Sequence, residues 1–99
     1  MTLEQGQVIK LEGVRNPILV VSKDYYNKLG FIIGCAVVND AIENAINIRI
    51  ASEGFEGIVL CDQVRNFDIF TRDYRILGKI DMNSRILISD IIQGLFDYK

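Results

Sequence analysis

The sequence predicts a mainly β domain closed by a C-terminal helix, in which a small curled antiparallel sheet or barrel has its open face covered by that helix. Two observations carry this expectation. Short apolar runs recur along the chain between clusters of Gly, Asn, Asp and Ser, the punctuation of strands joined by turns. From about Asn83 to Phe96 the period then changes, and Ile88, Ile91, Ile92 and Leu95 fall at i, i+3, i+4 and i+7 on one helical stripe. A chain of 99 residues is sized for a single domain, 1–99, with one core.

Taken in order, Gln7–Leu11 has the alternation of an edge strand, and Gly13 serves the turn that follows. Pro17 opens the next strand, a position where its missing backbone donor is tolerated, and Ile18-Leu19-Val20-Val21 reads as a strand buried on both faces. Ser22 to Gly30 offers an N-cap serine, about one helical turn and a terminating glycine, which fits a short helix or a loop. Phe31 to Val38 is a third apolar strand; Gly34 within it marks a bulge or a close backbone approach, and Asn39-Asp40 ends it. Ala41 to Ala45 predicts a helical turn, after which Ile46, Ile48 and Ile50 alternate with Asn47, Arg49 and Ala51 in a half-exposed strand. Ser52 to Gly57 is the expected hairpin connection, Ile69 to Arg75 an irregular stretch or helical turn, and Ile76 to Ile80 the last strand. Asp81 or Asn83 can cap the helix, and Gly94 weakens it by about 1 kcal/mol relative to alanine.

Composition narrows the chemistry. No apolar run approaches the ~20 residues that span a bilayer, and Met1 to Gly6 lacks the basic and apolar regions of a signal peptide, so the expected setting is the cytoplasm. There Cys35 and Cys61 stay reduced, and their apolar strands predict core packing. Two cysteines without any histidine cannot furnish the usual closed four-ligand zinc site, and the acidic residues lack calcium-loop spacing; neither metal nor other cofactor is expected. Acid–base chemistry, if present, falls to carboxylate, lysine, tyrosine or cysteine. A net charge of −2 supplies no overall attraction to nucleic acid, which would require a local cationic patch.

The stretch from Gly57 to Asp68 is the candidate centre. Ile58-Val59-Leu60-Cys61 is an apolar strand that runs without a turn signal into Asp62-Gln63-Val64-Arg65. Strict alternation puts Leu60, Asp62 and Val64 on one face and Cys61, Gln63 and Arg65 on the other, unless a bulge re-aims them. On that basis Asp62 is expected to have apolar neighbours, which would raise its carboxyl pKa.

The ordered set Gly13-Val14-Arg15-x-Pro17 leading into Leu19-Val20-Val21, then Asp24-x-x-Asn27, then Leu60-Cys61-Asp62-Gln63-Val64-Arg65 resembles the MazF/PemK toxins of type II toxin–antitoxin systems, a family that includes Kid and CcdB-like members. The resemblance implies an SH3-like barrel that forms homodimers, cleaves single-stranded RNA without metal and is neutralised by a small antitoxin protein. It assigns Arg15 to the cation facing the developing phosphorane charge and Asp62 to the base that takes the 2′-hydroxyl proton. Gln63 and Arg65 would position RNA. Asp24 and Asn27 fall either to RNA contact or to organising a turn. The chain departs from the family pattern in its very short first loop between Leu11 and Gly13, and in Leu60 where PemK-like members carry an arginine. Val38, followed by Asn39, stands where MazF-like members carry a hydroxyl. Two other readings accompany this one: an inert SH3-like barrel that binds an antitoxin, another protein or RNA, and a gyrase poison as in CcdB toxins, whose terminal Trp-Gly-Ile is not present here.

Overall fold

In the computed structural model, which describes residues 2–96, the apolar runs become six strands of one antiparallel sheet. They are β1 (Gln7–Leu11), β2 (Ile18–Val20), β3 (Phe31–Val38), β4 (Asn47–Ser52), β5 (Phe55–Asp68) and β6 (Tyr74–Lys79), with α1 (Asp24–Asn27) between β2 and β3 and α2 (Met82–Phe96) at the end. The spatial order is β4-β5-β3-β2-β1-β6. The sheet curls until its two edges approach: a Cβ added at Gly78 of β6 would collide with Ser52 Oγ of β4 unless that hydroxyl turned away.

Alternation along these strands fills two cores. Val8, Leu19, Cys35, Val37, Ile50, Val59 and Cys61 pack inside the curl with Ile80 and with Ile88 of α2, which closes the open face. On the other side Ile9, Leu11, Ile18, Val20, Ile32 and Phe67 pack with Leu3. Because β1 and β2 contribute to both clusters, these short strands are buried on both faces, as the uninterrupted apolar run of β2 anticipates. Gly34 has the close approach its place suggested: a Cβ there would collide with Ile18 Cγ2 and lie 2.9 Å from the Leu19 carbonyl oxygen.

Several local expectations are corrected. β1 is an interior strand, paired with β2 on one side and β6 on the other, rather than an edge. Ser22 is not a helix cap, since α1 has Lys23 at its N-cap and no side-chain cap bond; Ser22 is buried instead. Residues 41–45 form no helical turn, because the Asn44 side chain accepts from the amides of Ile46 and Asn47 at 2.9 and 2.8 Å and shapes a loop. The hairpin turn contracts to Glu53-Gly54, β5 extends over 14 residues, and β6 starts at Tyr74. α2 follows the predicted stripe: Ile88 is buried, Ile91 and Ile92 pack on the inner core, and Leu95 remains 42% exposed. Asp81 is the cap, accepting from the Ser84 amide at 2.7 Å.

Candidate functional site

The geometry of the site begins with a break in register. Cys35 of β3 pairs with Val64, yet Val37 pairs with Val59, so Ala36 alone faces the four residues Leu60, Cys61, Asp62 and Gln63. A bulge of this size resets the alternation of β5. Cys61 and Val64, which a regular strand would send to opposite faces, both pack on the inner core, and Asp62 and Gln63 are both turned outward. Beyond the bulge the period of two resumes, and Gln63, Arg65 and Phe67 line one hollow.

Arg15 reaches that hollow from the turn between β1 and β2. The turn is fastened by the Val14 amide on the Leu11 carbonyl at 3.1 Å and by Lys10 Nζ on the Val14 carbonyl. The hollow encloses about 190 Å³, with Arg15, Asn16, Gln63, Arg65 and Phe67 around a floor of Ile18 and Ala36. The Arg65 guanidinium lies over the Phe67 ring, 5.2 Å from its centroid, a cation–π contact that holds the charge at the rim. A second hollow of about 480 Å³ shares Arg15 and Asn16 with the first and is completed by Pro17, Val38, Asn39, Asp40 and Phe55. Arg15 is therefore a common wall between two cavities.

The sequence-derived residues divide accordingly. Arg15, Gln63 and Arg65 come together. Asp62 is exposed and lines neither hollow, so the apolar surroundings expected for it are absent; the bulge turns it to solvent. Asn27 is 3% exposed and fully engaged: its amide nitrogen donates to the carbonyls of Leu3 and Ser22 at 2.7 and 3.1 Å, and its oxygen accepts from Ser22 Oγ, which accepts in turn from the Ile33 amide. It fastens the N-terminal segment to α1 and β3, with no donor left for RNA. Asp24 is exposed beside a separate hollow of about 400 Å³ lined also by Glu4, Lys23, Tyr25 and Arg85. Sequence reading missed Asn16, Asp40 and Phe67 as lining residues. Phe67 was within reach, since it continues the alternation of Gln63 and Arg65, whereas Asp40 looked only like a turn former.

The cysteines beneath the bulge are core residues. Burial pushes the Cys35 thiol up to about 12, with Cys61 and Asp62 adding to the shift, and pushes Cys61 up to about 11, with the charge of Asp62 again adding. Among the described residues there is no group of three or more His, Cys, Asp or Glu placed to hold a metal ion. None of the described helices is long and apolar enough to cross a membrane.

A curled six-stranded antiparallel sheet under one helix, with two guanidinium groups and an aromatic ring at a surface hollow, defines a small β-barrel protein with a cationic surface hollow. The family described as PemK-like, MazF-like toxin of type II toxin–antitoxin system matches residues 4–96, and the chain belongs to that family. Among solved structures it is similar to the MazE–MazF complex (Form-I) of Deinococcus radiodurans, with a TM-score of 0.86 and 23% identity over 96% of each chain. It is also similar to an endoribonuclease from Mycobacterial species, with a TM-score of 0.81 and 14% identity over 95% of this chain and 90% of that one. A Mycobacterial endoribonuclease in complex with its cognate antitoxin matches with a TM-score of 0.75 and 16% identity, over 98% of this chain and 99% of the other. At these identities the likeness shows the fold. Comparison with curated protein sequences gives no match.

Proposed function

We propose that this member of the toxin family is a metal-independent endoribonuclease that cleaves single-stranded RNA by attack of the 2′-hydroxyl on the adjacent phosphate. The observation that carries the reading is the meeting of Arg15, Arg65, Gln63 and Phe67 at one hollow. The ion pairs among the described residues are Arg49 with Glu43 and Glu56, and Lys79 with Glu4, so they leave Arg15 and Arg65 for a ligand. A guanidinium presents paired donors to phosphate oxygens and stays charged throughout, which suits Arg15 to the charge that builds on the phosphorane. Arg65, held over Phe67, and Gln63 suit contacts to a flanking nucleotide through charge, stacking and hydrogen bonding. Cleavage also requires a base to take the 2′-hydroxyl proton; Asp62, which the family resemblance suggests for that role, stands next to Gln63 on the bulge and lines neither hollow.

The proposal extends to partners. The fold neighbours include a MazE–MazF complex and an endoribonuclease with its cognate antitoxin, which supports a small antitoxin protein as the restraint on this chain. Exposed Met82, Ile86, Leu87 and Phe96 along α2 support a homodimer, and the free cysteines fit a reducing cytoplasm. One observation favours a second reading, a barrel that binds without cutting: Asp62 lines neither hollow.

Incubating the purified protein with single-stranded RNA in EDTA separates the two. Termini bearing 2′,3′-cyclic phosphate are expected, and Arg15→Ala should lower their rate of formation about 10²–10³-fold, the usual effect of removing one transition-state charge partner. RNA that is bound but stays intact would establish the binding module, and RNA cut equally well by Arg15→Ala would remove this hollow from the reaction.

A further inference from the structure

The second hollow raises a question that the first does not answer. Arg15 lines both, and the carboxylate that shares a cavity with it is Asp40. Asp40 follows β3 immediately, and the end of that strand is tied to the start of β2 by the Val37 amide donating to the Pro17 carbonyl at 2.9 Å. The turn that carries Arg15 and the loop that carries Asp40 therefore flank one backbone hydrogen bond. Asp40 is exposed and takes part in none of the side-chain ion pairs among the described residues, so its charge is not spent on a structural partner. Although Arg15 and Asp40 face the same space, they are not paired with each other, which leaves room between them for a reacting group. At about 480 Å³ the space is within the range of pockets that hold small ligands. Phe55 gives it an apolar wall, while Asn16 and Asn39 bring amides able to donate to and accept from a ribose.

We propose, building on the ribonuclease reading, that this hollow receives the ribose on the 5′ side of the scissile phosphate and that Asp40 is the catalytic base. With the phosphate on Arg15, the Asp40 carboxylate takes the 2′-hydroxyl proton as the 2′-oxygen bonds to phosphorus. The bond from phosphorus to the 5′-oxygen breaks, and that oxygen takes a proton from solvent. The products are a 2′,3′-cyclic phosphate and a 5′-hydroxyl, and Asp40 returns its proton to water. The first hollow, with Gln63, Arg65 and Phe67, then takes the neighbouring nucleotide. In this arrangement Asp62 does not act on the 2′-hydroxyl.

The test is single-turnover cleavage of a long mixed-sequence single-stranded RNA in EDTA by the full chain and by Asp40→Asn, Asp40→Glu and Asp62→Asn, with RNA affinity measured in parallel. Asp40→Asn is expected to slow formation of cyclic phosphate ends at least ~100-fold, the lower range for a general base, while RNA affinity changes less than about threefold. Asp40→Glu, which keeps the carboxylate, should recover part of the rate, and Asp62→Asn should cut faster than Asp40→Asn. Undiminished cutting by Asp40→Asn, or loss of cutting in Asp62→Asn alone, would overturn the assignment while leaving the ribonuclease reading intact. Failure of the unmodified protein to cut RNA would overturn both, and that outcome is visible before any variant is compared.

Discussion

At the scale of single residues, the most demanding position is Gly34. Its Cα faces the Ile18 methyl and the Leu19 carbonyl across the β2–β3 ladder, and the backbone oxygen, only 2.9 Å from an added Cβ, cannot swing aside as a side-chain tip would. Gly34→Ala should therefore destabilise the fold by about 1–3 kcal/mol, the usual cost of forcing a methyl into a packed site, as read from the midpoint of a urea titration. The cysteines make a second residue-level case. Both thiols are free and buried, with pKa values pushed up to about 12 for Cys35 and about 11 for Cys61. The native protein should then leave a thiol reagent such as DTNB unreacted at pH 8, and both groups should titrate once urea unfolds the chain. The sign for stability follows from the same shifts. The unfolded thiols lose their protons around 9 and the folded ones only well above it, so the native state binds more protons in that window and stability falls as pH rises past about 9.

At the scale of elements, α2 depends on its cap. Asp81 accepts from the Ser84 amide, and its carboxyl is held below its ordinary value first by that backbone hydrogen bond and then by the Ser84 hydroxyl. A depressed carboxyl contributes stability above its unfolded value of about 3.8, and that contribution is lost as pH falls through the lower folded value. Asp81→Ala should accordingly lower the melting temperature at pH 7, and the gap to the unmodified protein should narrow below pH 4, as followed by circular dichroism at 222 nm. The existence of β2, β3 and α2 was legible in the sequence, because an apolar run or a period of 3.6 survives any detail of pairing. β5 shows where that legibility ends. Its apolar half and its polar half were each recognisable, but the outward turn of Gln63 and the inward turn of Val64 depended on a bulge set by the ladder with β3, and a change of parity reverses every side chain beyond it. The sequence reading gave Asp62 apolar neighbours, whereas at the bulge it is exposed.

At the scale of the whole molecule, two connections set the candidate site. The turn after β1 and the loop after β3 are apart in sequence, and the antiparallel pairing of β2 with β3 brings Arg15 of one and Asp40 of the other to a single hollow. The acidic balance of the chain, a net −2, does not prevent this, because two uncommitted arginines at one rim make a local cationic patch. The unpartnered apolar residues of α2 belong to this scale as well. They lead to the expectation of a particle of twice the chain mass in light scattering, and a monomer at micromolar concentration would count against the proposed homodimer.

By itself, the sequence determined the mainly β class, the closing helix, the burial of β2 and of both cysteines, and the family to which the motifs point. These follow from local pattern, since hydrophobic period and turn chemistry act over a few neighbouring residues. Only the tertiary structure decided which polar side chains share a cavity. That choice separated Asp24, Asn27 and Asp62 from Arg15 and joined Asp40 and Phe67 to it, because strand register and the bulge in β5 are settled between segments distant in the chain.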